Sequence, residues 1–269
     1  MRAFFVVVSA YALVALVFTA IEWRSGKRWW RRDDVGTDVA WTLLTFLGAH
    51  QAGRAGAVVV AVVVAVFLLG APGGDAVALK DWLMNRETVV GSLPLWAQIP
   101  LGLLVHDVAH YAMHRCFHAS SRLWSFHAIH HSAAELDWFA TLRGHPVNDL
   151  LQRVAAVVPL LVLGFKPGLV AGVAPVVALY GLLLHANVSW DFGPLRGVLA
   201  SPHFHRWHHA DVDGTRHQNF AGLFPFIDRA FGTFHMPANA PEKCGVADEV
   251  PRSALAQLWW PLVRTRFNR

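Results

Sequence analysis

The first apolar run constrains this chain more than any other feature. Residues 3–21, AFFVVVSAYALVALVFTAI, are 19 uncharged residues, and at about 1.5 Å per residue such a helix spans the ~30 Å hydrocarbon core of a bilayer. No small-residue cleavage site follows, so the run reads as a retained membrane helix rather than a removed signal peptide. Arg24, Lys27, Arg28, Arg31 and Arg32 crowd directly behind it. Anionic headgroups and the positive-inside rule place that loop on the cytoplasmic side and the N-terminus outside. With 55% hydrophobic and 15% charged residues, the composition exceeds what a soluble domain of this length needs to fill its core. The net charge of +5 does not point to nucleic acid, because the basic residues form no stripe interleaved with aromatics.

The rest of the chain continues in the same mode. Val39 to Ala71 is apolar but interrupted by His50, Gln51, Gly53 and Arg54; it counts as one crossing, its first half tilted or lying in the interface and residues 55–70 completing the span. Pro72, Gly73 and Gly74 open an outer loop that runs to Ser92. A helix beginning over Leu95–Val105 returns inward. Two more apolar runs, about 150–164 and 168–186, are separated by Phe165-Lys166-Pro167, which reads as a hairpin turn. Beyond about residue 190 the chain is too polar to cross, and Trp259, Trp260 and the basic cluster at 264–269 suggest an interfacial helix. The expectation is an all-α integral membrane protein with about four to five membrane helices and a cytosolic His-rich helical cap. It forms a single membrane domain over 1–269: N-terminal helices to 105, a catalytic region over 106–250 and a C-terminal tail over 251–269.

Fifteen of the chain's sixteen histidines fall within residues 106–250. His106, His110, His114 and His118 recur every four residues and share one helix face. His127-Ala-Ile-His130-His131 follows, and the same His-x-x-His-His pattern returns at His205, His208 and His209. The alternation of crossings puts these groups and His185 on one membrane face. Imidazoles one helical turn apart can bind one metal or flank two, and adjacent histidines diverge by ~100°, which suits ligands shared between neighbouring metals. The candidates are His114, His118, His127, His130, His131, His185, His205, His208 and His209. Nine imidazoles exceed the positions of one ion, so a dinuclear centre is the natural count. His50, His217 and His235 lack such company and read as surface or hydrogen-bonded histidines; His203 adjoins a box but breaks its register and reads as a non-ligand; His106 and His110 stay undecided, with a buried, hydrogen-bonded role the better reading for His106. Imidazole alone does not choose between zinc, copper, iron and nickel. Cys116 and Cys244 are isolated and imply neither a disulfide framework nor a thiolate cluster.

Read together, Asp107-x-x-x-Tyr111-x-x-His114-Arg115-x-x-His118, Trp124-x-x-His127-x-x-His130-His131-Ser132, Arg143-x-His145-Pro146 and His185-Ala186-Asn187-Val188 carry a resemblance. It continues through Pro202-x-x-His205-Arg206-x-His208-His209, Asn219-Phe220, Asp228-Arg229-x-Phe231-Gly232-Thr233 and Gly245-Val246. The stretch from about Asp107 to Val246 resembles the fatty acid hydroxylase/sterol desaturase superfamily of membrane di-iron oxygenases. Ala221, in place of a glycine after Asn-Phe, and Pro225 to Ile227 depart from its pattern without touching a candidate ligand.

The resemblance implies two non-haem Fe ions held by the nine histidines, with zinc a possible substitute in purified protein. It implies that Asp107, Arg143, His145 and Asn187 orient the imidazoles by hydrogen bonds. It implies dioxygen as co-substrate and hydroxylation or desaturation of an unactivated C–H of a membrane lipid: sterol-like, fatty acyl or related. Electrons must then come from outside, from a ferredoxin or a b-type cytochrome with its reductase, because the chain has no haem, flavin or iron–sulfur signature. Arg115, Arg122 and Arg206 offer a basic docking surface or, equally, headgroup contacts. The Ala- and Val-rich helices suggest a bacterial source and therefore the bacterial inner membrane, with the active site on its cytoplasmic side. The alternative is a zinc-dependent membrane hydrolase on the same histidines, which turnover without oxygen would reveal, although no His-Glu-x-x-His is present. A metal transporter or store fits less well, since the histidines gather on one face.

Overall fold

A computed structural model describes residues 2–212 and 217–263, with side chains throughout except at 2–8, 46, 47, 49 and 50. Among these residues the chain is helical, with one isolated bridge between Ala210 and Cys244 and no strand. The helices are α1 (Arg2–Arg24), α2 (Val35–Leu47), α3 (Ala49–Leu69), α4 (Ala76–Asn85), α5 (Leu95–Ala119) and α6 (Ser121–His131). They continue with α7 (Pro146–Leu163), α8 (Pro167–His185), α9 (Pro202–His208), α10 (Pro225–Ala230) and α11 (Ala254–Val263).

Gln51–Leu69 of α3, α7 and α8 are each long and apolar enough to cross a membrane. α3 and α5 both pack along α7, while Val58, Val59, Phe67, Val176 and Leu179 point outward. Lipid is the medium that covers so much outward apolar surface without cost. α1 and the start of α5 add Leu13, Leu16, Trp96 and Ile99 to that surface.

Three expectations are refined or changed. Val39 to Ala71 makes one crossing, through Gln51–Leu69 of α3, and its first half is a separate helix: Gly48, at φ +127°, ends α2 with its N–H bonded to the carbonyls of Leu44 and Thr45, and α3 starts beyond it. That φ excludes a β-carbon, so the chain can turn there. α2 leaves the membrane bundle and packs on the 3₁₀ turn Phe139–Leu142 and on α11. The outer loop contains α4, capped by Asp75, whose carboxylate accepts the N–H of Val77 (2.8 Å) and Ala78 (3.3 Å). Arg32, read above as facing headgroups, is 7% exposed and lies inside the cap against Asp34, Asp38 and Asp137.

The cap is closed by small apolar clusters. Phe18, Trp138, Phe139, Ala186 and Val188 join α1 to the segment after α8. Trp41, Ile129 and Ala254 join α2, α6 and α11, with the Trp41 indole N–H donated to the Gln257 carbonyl at 2.5 Å. α11 therefore docks on the cap through Ala254 and Gln257, and turns Leu255, Trp259, Leu262 and Val263 outward. The basic cluster at 264–269 and the side chain of His50 lie outside the described residues.

Candidate metal centre

Three of the helices around the histidines are started by side-chain caps. Ser120 caps α6 by accepting the Leu123 N–H (3.4 Å). His145 caps α7 by accepting the Val147 N–H at Nδ1 (3.1 Å), with Pro146 next. Ser201 caps α9 by accepting the Phe204 N–H (3.1 Å), with Pro202 at the first position. A seven-residue helix has too few internal bonds to form alone, and α9 is held by this cap and by the fully buried Phe204.

These helices converge in two groups of imidazoles. His114, His118, His127, His131 and His208 form one; His130, His185, His205 and His209 form the other. Within each group one nitrogen per ring lies within 4.8 Å of all the others. The adjacent pairs His130/His131 and His208/His209 are each split between the groups, and the His131 and His209 rings stack at 4.1 Å where the groups meet. All nine sequence candidates are thus brought together.

The hydrogen bonds fix how the rings face. His114 Nδ1 lies 2.8 Å from the Phe220 carbonyl, His130 Nδ1 3.1 Å from the Arg143 carbonyl, His185 Nδ1 2.8 Å from the Gly181 carbonyl and His208 Nδ1 2.8 Å from the Gln218 carbonyl. His127 Nδ1 faces the Asn148 side-chain oxygen at 2.9 Å. A carbonyl only accepts, so these five rings donate from Nδ1, and in a neutral imidazole Nε2 is then a bare lone pair. Yet His114 Nε2 lies 3.0 Å from His127 Nε2, and His130 Nε2 3.1 Å from His185 Nε2. Two lone pairs at that distance repel unless a cation lies between them. His208 Nε2 is buried with no hydrogen-bond partner among the described residues. Three further Nε2 pairs are as close, His127–His131 at 3.0 Å and His205 to both His185 and His209 at 3.1 Å. Metal–imidazole bonds of about 2.1 Å put neighbouring nitrogens ~3.0 Å apart at right angles and ~3.4 Å apart in a tetrahedron. The closest spacings lie in the range that imidazoles sharing one ion require. Burial pushes the His130 ring down to about 4 and the His208 ring to about 3. It also drives His127, His131, His205 and His209 well below the ordinary histidine value, with neighbouring imidazoles adding to the shift. Neutral rings are the ligand-competent form.

The four residues expected to orient the imidazoles occupy different places. Arg143 touches one, through its carbonyl on His130. Asp107 is fully buried and accepts the N–H groups of Gly222 (2.8 Å), Leu223 (3.0 Å) and Phe224 (2.7 Å), so it reaches His114 only through the loop that carries Phe220. His145 donates from Nε2 to the Leu258 carbonyl (3.2 Å) and thereby ties α7 to α11. Asn187 receives the Arg206 guanidinium (3.2 Å). Arg206 is half-buried and also reaches the carbonyls of Leu136 and Ala186, which removes it from the proposed docking surface; Arg115 and Arg122 are exposed.

Sequence reasoning missed Asn148 and the carbonyls of Phe220, Gly181 and Gln218, and gave Asp228 a place in the family pattern but no role. The Asp228 carboxylate accepts Phe220 N–H (2.8 Å), Ala221 N–H (2.9 Å) and the Thr233 hydroxyl (2.7 Å). Asn148 stands three residues beyond His145 on the first turn of α7, a weak signal; a carbonyl anchor leaves no signal in residue type. His203 donates to the Pro237 carbonyl (2.7 Å), the His235 ring packs 4.8 Å from Trp207, and His217 is exposed, all outside both groups. His110 and His106 continue the ladder away from His114, with ring centroids 5.2 and 6.2 Å apart in succession, and belong to neither group.

Residues 99–233, the stretch that holds both groups, match the fatty acid hydroxylase family. The chain is 31% identical over 261 residues to an ornithine lipid hydroxylase of Rhizobium tropici, covering 96% of this chain and 75% of that protein. It is 32% identical over 134 residues to the alkylglycerol monooxygenase of Danio rerio and 30% identical over 141 residues to the human one. These alignments take in 50% and 52% of this chain and 30% of each relative. No solved structure matches it. With half of its length and the whole histidine cluster inside the matched region, the chain belongs to the fatty acid hydroxylase family.

Proposed function

We propose that this membrane oxidoreductase hydroxylates an unactivated C–H of a membrane lipid with dioxygen, using two iron ions held by the five- and four-histidine groups. The observation that carries the reading is the convergence of Nε2 lone pairs at 3.0–3.1 Å in both groups. The names of the relatives, an ornithine lipid hydroxylase and alkylglycerol monooxygenases, favour insertion of oxygen over desaturation. The count also argues against a zinc hydrolase, which uses three protein ligands and an open position.

The iron pair would supply reductive activation of dioxygen and cleavage of the C–H bond. The balance is one lipid C–H, one O2, two electrons and two protons in, and one C–OH and one water out. The chain's own part is to fix the tautomer of five rings, to keep them neutral by burial, and to hold the 218–224 loop on Asp107 and Asp228. The electrons come from a ferredoxin or b-type cytochrome on the cytoplasmic face, where Arg115 and Arg122 are available to an acidic partner.

The test combines metal analysis with lipid mass spectrometry. Fresh protein should carry close to two irons per chain, and cells grown under ¹⁸O2 should hold a lipid heavier by one labelled oxygen, absent with His130→Ala. Full activity without metal, or turnover in strictly anaerobic buffer, would refute the reading. Zinc in a purified sample would not, since it can replace iron on imidazole.

A further inference from the structure

The two groups are anchored differently. Nδ1 of His114 and His208 bonds to the 218–220 loop and that of His127 to Asn148. In the four-histidine group, His130 leans on Arg143, and Arg143 leans on an ionic cluster. Its Nε donates to Asp38 (2.7 Å), one terminal nitrogen to Asp34 (2.9 Å) and the other to the Ser132 hydroxyl (3.1 Å). Asp38 is fully buried and sits between two guanidinium groups, bonded to Arg32 as well. Arg32 reaches on to Asp137 (2.6 Å), whose carboxylate accepts the N–H of Phe139 and Ala140 and so fixes the turn that leads to Arg143. Asp34 and Asp38 stand well before residue 99, where the family match begins.

We propose that Asp38 is a positioning residue for the four-histidine group: by clamping the Arg143 guanidinium it sets the Arg143 carbonyl that orients His130. An arginine with its three donor directions fixed by Asp38, Asp34 and Ser132 cannot swing, and a backbone carbonyl on the same residue cannot turn without moving that fork. Asparagine at Asp38 keeps one acceptor and turns an amide donor toward the other guanidinium, so the clamp shared by Arg32 and Arg143 loosens and His130 Nε2 can leave its partners, while the Nδ1 anchors of His114, His127 and His208 stay in place. The inference rests on the metal reading above and predicts a chain that keeps one metal and loses the other.

The experiment uses the full chain in detergent, stripped by chelator and titrated with cobalt(II), whose visible absorption reports each site. Wild type should take two cobalt ions. Asp38→Asn should keep the first and bind the second about 10- to 100-fold more weakly, the usual effect of removing a partner outside the ligand shell. Asn148→Ala should weaken the ion in the other group instead, with a different absorption change. Should Asp38→Asn fail to fold, Asp38→Glu carries the test: it keeps a carboxylate between Arg32 and Arg143 but displaces it by one methylene, and selective weakening of the same ion supports the role. Two cobalt ions of unchanged affinity and spectrum in a folded Asp38 variant overturn the positioning role alone. A wild-type chain that binds no metal overturns the metal reading and this inference with it.

Discussion

Asp107→Ala is the most informative single change outside the histidines. The carboxylate is fully buried on α5 and accepts three backbone N–H groups in succession, at 2.8, 3.0 and 2.7 Å from Gly222, Leu223 and Phe224. Alanine leaves all three without an acceptor, and each buried unsatisfied donor costs about 1–3 kcal/mol. Gly222 and Phe224 are only half-buried and regain some solvation, so the total falls at roughly 3–5 kcal/mol. For a chain of this size that corresponds to a drop of roughly 6–20 °C in thermal midpoint. Asp107→Asn is milder. Its carbonyl still accepts from Gly222 and Leu223, which share one oxygen, while its amide turns a donor toward the Phe224 N–H, so one bond is lost at about 1–3 kcal/mol. The loop also carries Phe220, the acceptor for His114 Nδ1, so alanine should weaken metal binding in the five-histidine group as well. The assay is thermal unfolding of the metal-loaded protein in detergent together with metal content. The reasoning is refuted if alanine unfolds no earlier than asparagine, or if both melt with wild type at full metal content.

Two further expectations follow from burial and backbone geometry. In the metal-free chain the buried histidines hold pKa values below their unfolded 6.5, to about 4 for His130 and 3 for His208. The unfolded state then binds more protons, so stability is full above pH 6.5 and is lost as pH falls toward 4; thermal midpoints of stripped protein should drop over that window, and metal-loaded protein should resist longer. Gly164, at φ +91° in the turn between α7 and α8, has room for no β-carbon, which would stand 2.5 Å from Thr88 Cβ. Gly164→Ala should therefore lower the melting midpoint more than Gly168→Ala, whose β-carbon meets nothing within 4 Å.

The legible part of this protein is the part written in periodicity. Four-residue spacing put His114 and His118 on one face, the two His-x-x-His-His patterns announced the split pairs, and hydropathy marked α3, α7 and α8. The illegible part is of three kinds. The polar residues His50, Gln51 and Arg54 mark an interruption of the apolar run but not the position of the break, which the backbone angle at Gly48 decides. Arg32 stands in a row of basic residues that all look alike, and only the tertiary approach of Asp38 and Asp137 separates it from Arg31, which stays exposed. The partners of the imidazoles are mostly main-chain oxygens, and the side chains expected in that role hold loops and helix ends instead.

That last arrangement bears on how this enzyme could be re-engineered. A carbonyl anchor is indifferent to the residue that carries it: the oxygens of Gln218, Phe220 and Gly181 persist whatever side chain grows from their α-carbons. Substitution of the Gln218 side chain should therefore leave the acceptor that orients His208 in place. The positions to hold constant are the carboxylates of Asp107 and Asp228, which grip the same loop by its N–H groups from the other side.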